Sequence, residues 1–213
     1  MKKRVLMIIG ITMVALIVVS VSVFATQKQN MNYYLGRLFQ EMQSVVVSKE
    51  DVLAEYKGEQ LVLSVVEYYQ EIWSQQLPDN QRLSERETID QIMKSVILRK
   101  EAQDRGITAT EKEIEEKVAV HKQWYKENER IRESIDAFCD GAGISVDDYF
   151  ALLYDQSYNS IIKAKLSMQI QEEYCRRQGV KLETSDVPQE VQEAVQKEIN
   201  QIVEQGMLDV IYY

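Results

Sequence analysis

Few residues in this chain are equipped for covalent or acid–base chemistry, and their spacing argues against it. His121 is the single histidine, and Cys139 and Cys175 are the two cysteines. A zinc site draws on about four ligands, more than one distant histidine and two cysteines supply. Adjacent carboxylates, Glu115-Glu116 and Asp147-Asp148, have the type needed for proton transfer. Both pairs fall in the first turns of expected helices, where the backbone dipole favours negative charge, and helix-start chemistry accounts for them. His121 lies on an apolar seam and reads as a structural side chain. No glycine-rich phosphate loop, nucleophile elbow or paired-histidine motif occurs. The chain is therefore not expected to be an enzyme, and no metal or cofactor is expected. The two cysteines read most simply as small buried thiols, although an oxidising exterior would also permit a disulfide.

Binding is better provided for than catalysis. Tyr68, Tyr69, Trp73, Trp124 and Tyr125 fall on helices flanking the expected core. Aromatic rings offer large apolar area at little entropic cost, which suits weakly specific peptide binding. The same rings could instead form the core itself. Both readings stand at this level, and these five are the candidate contacts for a bound polypeptide.

The elements that would position them are mostly helical. Gly (8) and Pro (2) are scarce and no low-complexity tract occurs, which disfavours both disorder and a turn-rich β-sandwich. Residues 26–48 carry Met31, Tyr34, Leu35, Leu38, Met42 and Val45 at helical spacing, giving a stalk or packing arm. Residues 52–63 alternate apolar and polar around Gly58, giving two short strands. Ser64 and Glu67 have capping-box spacing for a helix running to about Gln76, which "LPDN" (77–80) then breaks. Helices follow over about 84–105, 111–138 and 146–176. Gly106-Ile107 has the form of a Schellman stop, with Thr110 and Glu113 opening the next helix. Gly141 and Gly143 stop the 111–138 helix, and Ser145 with Asp148 opens the long one. Gly179-Val180 ends that, Asp186 caps a last helix with Pro188 in its first turn, and Gly206-Met207 closes it. Leu208, Val210 and Tyr212 alternate like a strand over 208–212, whose only candidate partner is the 52–63 segment.

The N-terminus sets the expected address. Lys2, Lys3 and Arg4 precede an uncharged run from Val5 to Ala25, long enough to span ~30 Å of hydrocarbon. The positive charges before it predict a cytoplasmic N-terminus with the bulk of the chain outside. The run could stay as a transmembrane anchor, be cut after Val23-Phe24-Ala25, or pack as a buried helix. With 34 Asp and Glu against 25 Lys and Arg, the net charge is −9, and three of those positive charges precede the anchor. Nucleic acid and anionic lipid surfaces are therefore not expected partners.

The segment "ETIDQIMKSVILRKEAQDRGITATEKEIEEKV" (87–118), preceded by "VLAEYKGEQLVLS" and followed by "GISVDDYFALL", resembles the N-terminal domain of the SurA and PrsA family of exported chaperones. Ile92, Val96, Ile97, Leu98, Glu101, Ala102, Gly106, Ile107, Thr110, Glu113 and Ile114 occupy the positions of that family's run, and the resemblance covers about 50–213. In that family a parvulin-type isomerase domain is inserted before the closing helix. Here only "CRRQGVKLETSDV" (175–187) stands at that point, so the resemblance implies the chaperone half alone. The expectation is a SurA N-domain-like helical module holding unfolded or extended exported polypeptides, without isomerase activity. The alternative is an adaptor holding one dedicated envelope partner or, as a homo-oligomer, a copy of itself.

Overall fold

The computed structural model describes residues 25–44, 51–74, 82–180 and 187–213, with side chains from Met31 onward. In chain order its elements are α1 (Ala25–Ser44), β1 (Val52–Tyr56), β2 (Glu59–Val62), α2 (Leu63–Ser74), α3 (Glu85–Asp104), α4 (Glu111–Glu127), α5 (Glu129–Ala142), α6 (Val146–Gln178), α7 (Gln189–Leu208) and β3 (Ile211–Tyr212). The fold is mostly helical with one small antiparallel sheet. No described helix is long and apolar enough to cross a membrane. The expected anchor, residues 5–25, lies outside the described residues apart from Ala25.

Three helices stop the same way. Gly106, Gly143 and Gly179 take φ of 72°, 66° and 68°, a left-handed conformation that costs a residue with a Cβ roughly 1–2 kcal/mol. The amide after each glycine then reaches back to close the turn. Ile107 N donates to Ala102 O at 2.9 Å, Ile144 N to Cys139 O at 3.1 Å and Val180 N to Cys175 O at 3.0 Å. These are the long-range bonds of Schellman motifs; Ile107 and Ile144 also pack against the core, while Val180 is exposed. Two of the stops lead straight into capping boxes, Thr110 with Glu113 and Ser145 with Asp148. A third box, Ser84 with Glu87, opens α3.

Several expected boundaries move. The 111–138 helix is two helices broken at Asn128, whose φ of −114° and ψ of 108° are extended. Asn128 closes α4 through its own amide and caps α5 by accepting from Ile131 N. The two parts of that stretch take different neighbours: α4 packs against α6, and α5 against α1. Helix α2 starts at Leu63 directly from β2, leaving no separate cap residue for Ser64 to be. Helix α7 has Pro188 as its N-cap without a side-chain bond, while Asp186, Gln76 and "LPDN" lie outside the described residues. Tyr34 is exposed, and Phe39 takes the buried place on α1 with Leu35.

The C-terminus returns to the β1–β2 hairpin to complete the sheet, in the order β2-β1-β3. Lys57 (φ 48°) and Gly58 (φ 79°) make the two-residue turn of the β1–β2 hairpin, matching the twist of the strands it joins. Strand β3 pairs antiparallel with β1, Tyr212 opposite Ala54, and is shorter than expected because α7 runs through Leu208. The Arg86 guanidinium lies 3.4 Å from the Tyr212 ring centroid, and Tyr212 OH donates to Asp90 at 3.0 Å, fastening the C-terminus to α3.

Two glycines expected to end helices sit inside them. Gly141 belongs to α5, and a Cβ there would lie 2.0 Å from Tyr33 O; one at Gly36 of α1 would lie 2.1 Å from Phe138 O. The two helices thus touch backbone to backbone, which makes α1 a packing arm. Gly206, inside α7, faces the Ile97 side chain of α3 at 2.6 Å from the place of a Cβ.

Candidate functional site

The nominated aromatics separate into an interior group and one exposed ring. Tyr69 stacks near Trp73 with centroids 4.9 Å apart, and meets Tyr68 at 6.3 Å. Tyr68 touches Phe39 of α1 at 6.2 Å, Phe39 touches Phe138 of α5 at 5.6 Å, and Phe138 touches Tyr149 of α6 at 6.0 Å. Tyr149 meets Phe150 at 5.4 Å, and Phe150 meets Tyr125 of α4 at 5.8 Å. This spine runs through α2, α1, α5, α6 and α4. Each ring pair adds about 0.5–1.5 kcal/mol beyond the area it buries. Tyr68 and Tyr69 are each 3% exposed, so the structure moves them from candidate contacts to core. Trp73 and Tyr125 are half-buried at the two ends of the spine, and Tyr125 OH donates to Asp136 at 2.8 Å. Trp124 is 43% exposed, its ring edge-on to His121 at 5.1 Å, with Val120 exposed one turn earlier.

Sequence reasoning passed over the surface on the other side of α4. There α4 and α6 enclose an open groove of ≈ 640 Å³ lined by Glu115, Val118, Ala119, Lys122, Asp147, Phe150, Ala151 and Tyr154. Val118, Ala119, Phe150 and Ala151 give it an apolar floor. Glu115 and Asp147 stand at its rim, and the Lys122 ammonium lies 5.4 Å from the Phe150 ring centroid. In the sequence Val118 and Phe150 are apolar positions of the expected 111–138 and 146–176 helices. Only the crossing of the two helices turns them into one surface.

Local chemistry fixes that crossing. The Ser145–Asp148 box sets the first turn of α6 and so aims Phe150. At the start of α4, Glu113 takes the Thr110 amide at 2.8 Å and also pairs with Lys165 of α6 at 2.7 Å. Lys165 donates in addition to Thr108 O at 2.9 Å. The Lys165 ammonium, then the Thr110 amide and hydroxyl, hold the Glu113 carboxyl down to about 2, below its ordinary 4.5. The unfolded chain therefore binds a proton in that interval that the folded chain does not, so stability is lost as pH falls from about 4.5 towards 2. Urea midpoints at pH 5 and near pH 2 are expected to show wild type above Glu113→Gln at the higher pH and level with it at the lower. Equal midpoints at pH 5 would dissociate Glu113 from the joint.

Cys139 and Cys175 are both free and buried, and burial, followed by Asp136, Asp140 and Asp148, pushes the Cys139 thiol up to about 12. Burial and then Lys117 lower the His121 imidazole, favouring its neutral form. No group of acidic, histidine or cysteine side chains among the described residues could hold a metal ion. No protein-family model, curated protein or solved structure matches this chain.

Proposed function

We propose that the chain is an extracytoplasmic holdase-type chaperone, tethered to the membrane through residues 5–25, that binds unfolded or extended exported polypeptides and has no isomerase activity. The observation that carries it is the open α4–α6 groove, an apolar floor with both signs of charge at its rim. Such a surface takes many apolar side chains without demanding one shape, and its rim keeps it wetted when empty. The resemblance of residues 87–118 to exported chaperones supports the same reading, as does the anchor-like run at 5–25.

One observation favours a dedicated partner instead. Tyr33 and Tyr34 stand side by side on α1, 47% and 43% exposed, and paired tyrosines are common interface anchors. On that reading the protein is an adaptor, and in-cell cross-linking yields one stoichiometric product where a chaperone yields a heterogeneous smear.

The full chain in an uncharged detergent is expected to delay aggregation of a denatured exported protein at about equimolar ratio, as weak multi-client binding requires. It is expected to leave the isomerisation rate of a short prolyl peptide unchanged. Absence of both aggregation delay and binding to unstructured peptides would remove the chaperone reading.

A further inference from the structure

One stripe of α6 carries polar side chains into the interior beside Leu153. Tyr149, Gln156, Ser160 and Lys163 follow at spacings that keep them on a single stripe of the helix. Tyr149 is fully buried and its hydroxyl has no partner; Gln156 is 6% exposed and neither its amide nitrogen nor its amide oxygen has one. Buried polar atoms are ordinarily paired, so two such side chains on one stripe mark a place built for something more.

The next turns of the stripe carry cations in place of carboxylates. Lys117 of α4 donates to Ser160 Oγ at 2.5 Å, and Lys163 donates to Ser95 Oγ of α3 at 2.9 Å. Arg99, one turn beyond Ser95, pairs with Glu59, which Lys100 also holds at 2.7 Å. Arg99 and Lys100 thus share one carboxylate. Among the described residues Lys117 and Lys163 meet hydroxyls and no acid. Burial lowers both ammonium groups, and Arg99 and then Lys117 lower Lys163 further. In a chain of net charge −9, such a cluster is not an accident of composition. A half-buried ammonium lacking a counter-charge is unfavourable unless an anion completes it.

We propose that the junction of α3, α4 and α6 is an oxyanion site, with Lys117 and Lys163 as charge partners and the Gln156 amide, one turn before Ser160, as a paired donor and acceptor. Its ligand is a carboxylate followed by a peptide group. The carboxylate takes the two ammonium groups, and the free N–H and C=O of Gln156 match the C=O and N–H of the adjoining peptide bond. This rests on the polypeptide-holding reading for the source of the carboxylate, a chain end or an acidic side chain, and for nothing else.

Calorimetry on the full chain in uncharged detergent tests it with four probes: an unstructured peptide free of Asp and Glu ending in a carboxylate, the same peptide amidated, an amidated version with one Glu, and inorganic phosphate. The expected result is about tenfold tighter binding of at least one carboxylate-bearing peptide than of the carboxylate-free one. Lys117→Met and Lys163→Met should each remove most of that preference while the melting temperature holds or rises, since an uncompensated ammonium is lost. A purely structural role would lower the melting temperature and leave the preference intact. Should either variant fail to fold, the wild-type preference still decides. Equal binding of all three peptides with no phosphate uptake overturns the site and leaves polypeptide holding in place. Phosphate binding without peptide binding keeps the site and overturns the polypeptide source. Binding of no probe overturns both.

Discussion

Gly36→Ala and Gly141→Ala are each expected to destabilise the fold by about 3 kcal/mol or more, the range reached when an inserted group must displace packed backbone. Helix propensity alone gives the opposite sign, a gain of roughly 1 kcal/mol for alanine over glycine inside a helix. The sign is therefore diagnostic. The added methyl group would meet Phe138 O at 2.1 Å from Gly36, or Tyr33 O at 2.0 Å from Gly141. These are main-chain atoms and cannot rotate aside, so α1 and α5 must separate. Separation opens the contact of Phe39 with Phe138, in the middle of the aromatic spine. Gly206→Ala meets only the Ile97 side chain, which can shift, and should be milder. Urea unfolding of the three variants beside wild type gives the ranking. Wild-type stability or better in the Gly36 and Gly141 variants would mean that α1 does not lie on α5 in this way.

Those glycines also show where sequence stops speaking. A Schellman stop is a contract among residues adjacent in the chain, so Gly106-Ile107, Gly143-Ile144 and Gly179-Val180 were legible, as were the boxes at Thr110 and Ser145. The C-terminal strand was legible by elimination, since one other segment had strand periodicity. Gly141 and Gly206 carry the same letter for a different reason: each faces another element across space, and nothing beside it in sequence says so. Asn128 is a milder case. It stands in an otherwise helical run, and only its side-chain bond to Ile131 N makes it a cap. The aromatic residues were ambiguous because period places a ring on a face without saying which face is covered. Tyr68 and Trp124 are alike by that measure, and they end on opposite sides of the solvent boundary. The groove was hidden for the same reason, being a property of how α4 crosses α6.

Placing charge on the groove floor is expected to abolish polypeptide holding without unfolding the protein. Ala119 and Ala151 line the groove from α4 and α6, and both are exposed. Exposed helix positions tolerate substitution within about 0.5 kcal/mol, so Ala119→Glu with Ala151→Glu should keep nearly the wild-type melting temperature. An apolar segment seated there would bury two carboxylates, at several kcal/mol, and about 1.4 kcal/mol already means a tenfold loss. Glu115 and Asp147 stand one turn before the two sites, so the paired Lys substitutions reverse the local electrostatics while obstructing the same floor. Loss of aggregation delay in both double variants assigns binding to the apolar floor. Loss in one and gain in the other would mean that the groove selects by charge. Trp124→Ser tests the opposite side of α4, where the ring leans on His121, and should retain most of the activity. If Trp124→Ser silenced the protein while both double variants remained active, the holding surface would be the Val120–Trp124 side, and the groove would be a by-product of how α4 is fastened through Glu113 to Lys165.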